Sequence, residues 1–245
     1  MANLIVDIGN TNIKIFIFEI QNFRKFIFSN KDFFFNKELK SEFESININR
    51  CIISQVGNLV DENFLNFLKL KYNPLFFNHK CQLPIKICYK TPETLGLDRL
   101  AAVCGAVKIF PDTNVLVIDV GTAITYDLVT ADKNYLGGNI SPGIDLRFKS
   151  LNIHTKNLPL IEKKEKFNPE QQNKLGTNTN EAISLGVENG IFYEVSTVIS
   201  NFSKQYENFK IIFTGGDAPF FKNLFDKQIL YEPDLVAIGL NYVLI

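Results

Sequence analysis

The chain has no tryptophan, one methionine and, among its 245 residues, only two histidines. His79 and His154 are distant in sequence from one another and from any cysteine pair, which argues against a zinc site. It also disfavours Ser-His-Asp chemistry, whose histidine base depends on partners supplied around it. The four cysteines, Cys51, Cys81, Cys88 and Cys104, show no CxxC spacing. With no export signal ahead of them they read as reduced thiols, so a cytoplasmic protein is expected. The apolar N-terminus is broken by Asp7, Asn10 and Lys14 and reads as a first strand, not a signal peptide. No apolar run approaches the ~18–20 residues of a membrane span, so no membrane partner is expected. Charge of either sign is not in excess, since Lys+Arg and Asp+Glu both number 26. A basic field for nucleic acid is therefore missing, as is an acidic tail. Neither G-x-x-x-x-G-K-[ST] nor a first-strand G-x-G-x-x-G is present, which excludes a Walker NTPase and a dinucleotide Rossmann site. Chemistry here must run on carboxylates, backbone amides, threonines and a few cations.

What is present is a duplication. "LIVDIGNTNIKIFIF" (4–18) and "VLVIDVGTAITYDLV" (115–129) each run from a β-branched apolar stretch through Asp, one apolar residue and Gly into a Thr/Asn turn. A second apolar stretch follows in both. At 46% hydrophobic and 21% charged, the chain has the composition of a globular protein long enough to bury a core. In the first half, 4–8 and 13–18 predict a hairpin, 25–29 and 51–56 further strands, and 61–72 an amphipathic helix capped by Asp61. "LDRLAAVCGAVKI" (97–109) predicts a buried helix, and "FPDTN" (110–114) is the best boundary. The second half predicts strands 115–119 and 124–129, a Gly/Pro loop at "YLGGNISPG", and a polar mobile connection across "NLPLIEKKEKFNPEQQNK". A long helix over 181–205 follows, with Ile183, Val187, Ile191, Val195, Val198 and Phe202 on one stripe. A strand runs into "FTGG" at 213–216, and a helix closes the chain. Two domains are expected, 1–112 and 113–245.

An Asp at the end of a buried strand, followed by Gly and small polar residues, suits a phosphate–metal site. The Gly lets backbone N–H groups approach phosphate oxygens, Thr and Asn add neutral donors, and the Asp holds a cation. One such turn is weak evidence, because Asp-x-Gly also occurs in ordinary β-turns. Two at matched places are stronger, since they could clamp one nucleotide from both sides. The turn "FTGGDA" (213–218) offers a third close backbone approach.

The duplicated Asp turns and the late Gly-Gly turn resemble the acetate and sugar kinase, Hsp70 and actin superfamily. Within it, the chain resembles type III pantothenate kinase. The resemblance rests on "DIGNTNIK" (7–14), "GLDR" (96–99), "DVGTAITYD" (119–127), "GGNISPG" (137–143), "GTNTNEAI" (176–183) and "FTGGDA" (213–218). It covers nearly the whole chain, while 19–50 and 155–175 carry no family signal. The fold it implies is α/β: two tandem ribonuclease H-like, actin-like ATPase halves. Each would be a mixed sheet flanked by helices, with nucleotide in the cleft between them.

The resemblance further implies that the first turn, Asp7, Ile8, Gly9, Asn10, Thr11, Asn12, Ile13 and Lys14, binds ATP, with Asp7 organising Mg²⁺. A hairpin turn is the plain alternative, and for Asn12 a serious one. Asp119 would hold a monovalent cation, K⁺ or NH₄⁺, and Thr122 would contact ATP. Asp98 would be the general base that takes the proton of the substrate hydroxyl; on sequence alone a helix-start carboxylate stabilised by the dipole is commoner. Tyr89, Gly96, Leu97, Asp98, Arg99 and Thr179 would line the pantothenate site. Thr179 reads equally as the N-cap of the long helix, Asp127 equally as a supporting acid or a surface carboxylate, and Arg147 as structural. The run "EKKEK" (162–166) reads as a solvated loop. The expected partners are pantothenate, ATP and a second copy of the chain in a homodimer. Two other readings stay open: a nucleotide-binding regulator without turnover, and a kinase of the same superfamily acting on another small molecule.

Overall fold

A computed structural model describes the chain apart from residues 1, 21, 32, 57–60, 222–223, 226–228 and 245. In chain order the elements are β1 (Ala2–Ile8), β2 (Asn12–Phe18), β3 (Phe23–Ser29), α1 (Lys37–Ser45), β4 (Ile48–Gln55), α2 (Glu62–Tyr72), β5 (Leu75–Phe76), β6 (Lys86–Ile87) and α3 (Leu97–Ile109). They continue with β7 (Asn114–Val120), β8 (Ala123–Val129), β9 (Asn134–Pro142), α4 (Ile144–His154), α5 (Thr179–Gln205), β10 (Phe209–Thr214), β11 (Ile229–Tyr231) and α6 (Leu235–Leu244). The chain divides into two compact units. One holds residues 1–109 together with 234–245, the other residues 110–233. The closing helix, placed with the second half on sequence, thus lies in the first unit.

The first unit's sheet runs β3-β2-β1-β4-β5. β1 to β3 form an antiparallel meander, and β4 returns parallel to β1. One face buries Leu4, Val6, Ile13, Ile15 and Ile17 against Phe43 of α1 and Phe64 and Leu68 of α2. Asp61 caps α2 as its pattern predicts, accepting from the amides of Asn63 and Phe64. The helix ends at Asn73, whose left-handed φ of 44° is the usual stop. α6 packs on α3, β1 and β4. Two glycines let the helix backbones meet: a Cβ on Gly239 would stand 1.8 Å from the Ala101 carbonyl oxygen.

The second unit repeats this topology. β7 to β9 form an antiparallel meander and β10 pairs parallel with β7, giving the order β11-β10-β7-β8-β9. Ile183, Val187, Ile191 and Val195 of α5 enter the core, with Val198 and Phe202 packed beside them. The stripe read from spacing therefore faces the core.

Two readings are corrected. "YLGGNISPG" is no loop: its residues through Pro142 belong to β9, paired with β8 along their length. Glycine is required there because a Cβ on Gly138 would lie 1.7 Å from the Tyr126 carbonyl oxygen. The polar connection is tied down, with Phe167 buried and its ring stacked 4.9 Å from that of Phe192. The helices α1 and α4 had no expectation at all, and both are short, of 9 and 11 residues.

Candidate active site

In the first unit the turn between β1 and β2 is built by register. Asp7 pairs with Lys14 and Ile8 with Ile13, and the Gly9 amide donates to the Asn12 carbonyl at 3.0 Å. Ile8 and Ile13 are buried, so they anchor the turn and offer a ligand no side-chain polarity. Asn10 and Thr11 stand exposed at the tip, while Gly9, Asn12 and Lys14 are partly buried. Asn30, from the stretch without family signal, steadies the turn on both sides. Its Nδ2 donates to the Gly9 carbonyl at 2.7 Å, and its backbone amide donates to the Thr11 carbonyl at 2.9 Å. Nothing in the sequence pointed to it, because only pairing of β2 with β3 brings it there.

Asp7 itself is partly buried at the end of β1. Burial pushes its carboxyl from 3.8 up to about 6; Lys14 pulls it down, and the charge of Asp98 pushes it further up. The first turn and the start of α3 are therefore close enough to feel each other's charge. In α3, Asp98 lies in the first turn and its Oδ1 accepts from the Arg99 amide at 2.8 Å. The Gly96 carbonyl takes the first helical bond, from Leu100. A Cβ on Gly96 would lie 2.5 Å from Asp98 Oδ1. Leu97 is partly buried like Asp98, as is Tyr89 upstream, whereas Arg99 is only 6% exposed.

The second unit builds its turn the same way. Asp119 pairs with Thr125 across the hairpin, and the Gly121 amide donates to the Ala123 carbonyl at 3.0 Å. Thr122 is exposed at the tip. Gly215, with φ +92°, lies against this strand end, and a Cβ there would stand 2.3 Å from Asp119 Oδ1 and 2.4 Å from the Val120 carbonyl oxygen. The Gly-Gly turn of the sequence thus meets the acidic strand end, and only glycine allows the approach. Asp127 is neither a surface carboxylate nor near the turn tip. It is 1% exposed, and its Oδ1 accepts from the Tyr135 hydroxyl at 2.6 Å.

Thr179 is the first residue of α5 and is exposed. The N-cap is Asn178, not Thr179: Asn178 Oδ1 accepts from the Glu181 amide at 3.0 Å, and Glu181 reaches back to the Thr177 amide at 2.9 Å. Thr179 lines a cavity of about 580 Å³, together with Arg147, Ser150, Leu151, Leu158 and Ile183. Lys163 of "EKKEK" is more than a solvated charge. Its Nζ bridges Asp217 at 2.6 Å and Asp145 at 3.1 Å.

Among the described residues no cluster of three or more His, Cys, Asp or Glu could hold a metal. Mg²⁺ brought by a nucleotide takes one or two carboxylates and fills its remaining positions with phosphate oxygens and water. Asp7 fits, being a carboxylate raised by burial and by a like charge, which a divalent cation would relieve. The Asp119 carboxylate beside the Val120 carbonyl is likewise an oxygen donor set of the kind a hard monovalent cation takes.

Two α/β units with one topology, each opening on a strand–acidic turn–strand, define the actin-like ATPase fold used by sugar kinases. A glucokinase from an Antarctic psychrotroph aligns over 99% of this chain and 98% of its own, with a TM-score of 0.51 and 12% identity. A Campylobacter jejuni protein assigned to the Baf family of transcriptional activators aligns over 98% and 96%, with a TM-score of 0.59 and 24% identity. Both likenesses concern the fold alone. The profile of the type III pantothenate kinase family matches residues 3–201. A type III pantothenate kinase from Christiangramia forsetii is 42% identical over 245 residues, covering 99% of this chain and 97% of that protein. The chain belongs to the type III pantothenate kinase family.

Proposed function

We propose that the chain transfers the γ-phosphoryl group of ATP to the primary hydroxyl of pantothenate, giving 4′-phosphopantothenate for coenzyme A synthesis. The observation that carries the site assignment is the electrostatic coupling of Asp7 to Asp98 within the first unit. A carboxylate that organises Mg²⁺ and a carboxylate that takes the hydroxyl proton must sit near one another, because both serve the same phosphoryl group.

In this reading Asp98 accepts the proton as the hydroxyl attacks in line, and positioning and electrostatics supply most of the rate. The turn Asp7–Lys14 and Thr122 take the ATP phosphates through backbone amides and hydroxyls. Mg²⁺ at Asp7 and K⁺ or NH₄⁺ at Asp119 offset the charge gathered there. Gly96 and Leu97 let the substrate approach α3. Tyr89 and the buried guanidinium of Arg99 suit the substrate's amide and carboxylate, and Thr179 offers a hydroxyl from its cavity.

A homodimer belongs to the same reading. Gly186 and Gly190 of α5 face open space beside the exposed Leu175 and Tyr193, an apolar and aromatic surface of the kind interfaces use. A cytoplasmic location agrees with the four free cysteines, of which Cys51 and Cys104 are buried. No helix among the described residues is long and apolar enough to cross a membrane.

The test is ADP release by purified protein with ATP, Mg²⁺ and pantothenate, comparing wild type with Asp98→Asn. Turnover is expected only with pantothenate. It should fall about 10²–10⁴-fold in the variant, the usual contribution of a general base. A variant with wild-type turnover removes Asp98 from the mechanism; pantothenate-independent or absent turnover overturns the function.

A further inference from the structure

Glu194 sits in the middle of α5, outside every motif the sequence offers. Its carboxylate gathers donors from three other elements. Oε1 accepts from the Tyr126 hydroxyl of β8 at 2.7 Å and from the Ser141 hydroxyl of β9 at 2.5 Å. Oε2 pairs with the Arg147 guanidinium of α4 at 2.5 Å. Burial alone would raise the Glu194 carboxyl, but the bonds from Arg147, Ser141 and Tyr126 bring it below the usual carboxylate range. It is therefore ionised and fully engaged at neutral pH.

Arg147 carries the chain of contacts onward. Its Nε donates to the Pro142 carbonyl at 2.8 Å, and an Nη2 lies 3.4 Å from Ser141 Oγ. The next residue, Gly143, donates its amide to the Thr122 carbonyl at 2.9 Å. A Cβ on Gly143 would lie 2.0 Å from the Gly121 carbonyl oxygen, so the 141–143 backbone abuts the turn with no slack. Any shift of this segment must move Gly121 and Thr122 with it, because packed backbones transmit displacement without absorbing it.

We propose that Glu194 is a positioning residue for the second acidic turn: through Arg147, Ser141 and the Pro142–Gly143 backbone it fixes where Gly121 and Thr122 sit, and so sets the affinity for ATP phosphate. This rests on the reading that the turn takes ATP. A brace that served stability alone would lower the unfolding midpoint and leave substrate affinities untouched. A positioning brace changes the affinity for one substrate and spares the other.

The experiment is steady-state kinetics with each substrate varied in turn, on wild type, Glu194→Gln, Ser141→Ala and Thr122→Ala, with thermal midpoints measured alongside. Glu194→Gln should raise the KM for ATP about tenfold, the equivalent of one charge-assisted hydrogen bond. Its kcat and its KM for pantothenate should stay within about twofold of wild type. Ser141→Ala, which removes one neutral donor and no charge, should raise the KM for ATP about threefold, and it carries the test if Glu194→Gln does not fold. A lowered midpoint with the KM for ATP unchanged in both variants overturns the proposal. An unchanged KM for ATP in Thr122→Ala overturns the reading of the turn and the proposal with it. A raised KM in Thr122→Ala beside normal values in the other two overturns the proposal alone.

Discussion

Replacing Asp7 by Asn should make the protein more stable and less active. The carboxyl titrates at 3.8 when exposed and at about 6 in the fold, with burial the leading cause. Below about pH 4 both folded and unfolded chains hold the proton, and the group contributes nothing. Between about 4 and 6 the unfolded chain ionises while the folded one does not, so stability falls as pH rises. Above about 6 the loss is complete, and two pKa units correspond to about 3 kcal/mol. Asp7 is partly exposed, and an amide in its place still needs partners, so a gain of about 1–3 kcal/mol at pH 7.5 is expected for Asp7→Asn. For a chain of this size that is a rise of about 3–10 °C in the unfolding midpoint. The assay is urea and thermal unfolding from pH 4 to 8 without Mg²⁺ or nucleotide, for both proteins. The curves should converge near pH 4 and separate through pH 6, while pantothenate-dependent turnover is lost. A variant equal to or weaker than wild type at pH 7.5, or a difference independent of pH, would refute the argument.

Two further outcomes are expected. Asp119→Asn should remove the advantage of K⁺ or NH₄⁺ over Na⁺ in the turnover assay; a variant that keeps full cation selectivity takes the cation away from Asp119. Gly239→Ala should cost about 1–3 kcal/mol, because its Cβ would overlap the Ala101 carbonyl where α6 crosses α3. Urea denaturation reads this directly, and an unchanged midpoint would mean the two helices separate easily.

The long regular elements and the acidic turns were legible because their signals are local. The hairpins at 4–18 and 115–129, α2 with its Asp61 cap, α3, and the core stripe of α5 all follow from periodicity, capping and β-branched runs that neighbouring residues carry themselves. Asp7 and Asp119 stood out for the same reason, each in a short motif whose spacing has a chemical rationale, whereas Asp98 was singled out only by the family resemblance. Where a partner far along the chain decides the conformation, the sequence was silent or misleading. "YLGGNISPG" has the composition of a loop and is a strand because β8 pairs with it and leaves no room for a Cβ at Gly138. Phe167 sits in a polar connection and is buried because Phe192 offers it a face.

The sequence by itself thus determined the family, the two acidic turns and the residue types available for phosphoryl transfer, since these depend on near neighbours and on composition. Tertiary structure alone decided that Asp7 feels Asp98, that α6 closes against α3, that Asn30 steadies the first turn and that Glu194 and Arg147 reach the second. Those relations join residues from about 20 to more than 130 positions apart, and no local pattern encodes a contact that only the paired strands and packed helices bring within bonding distance.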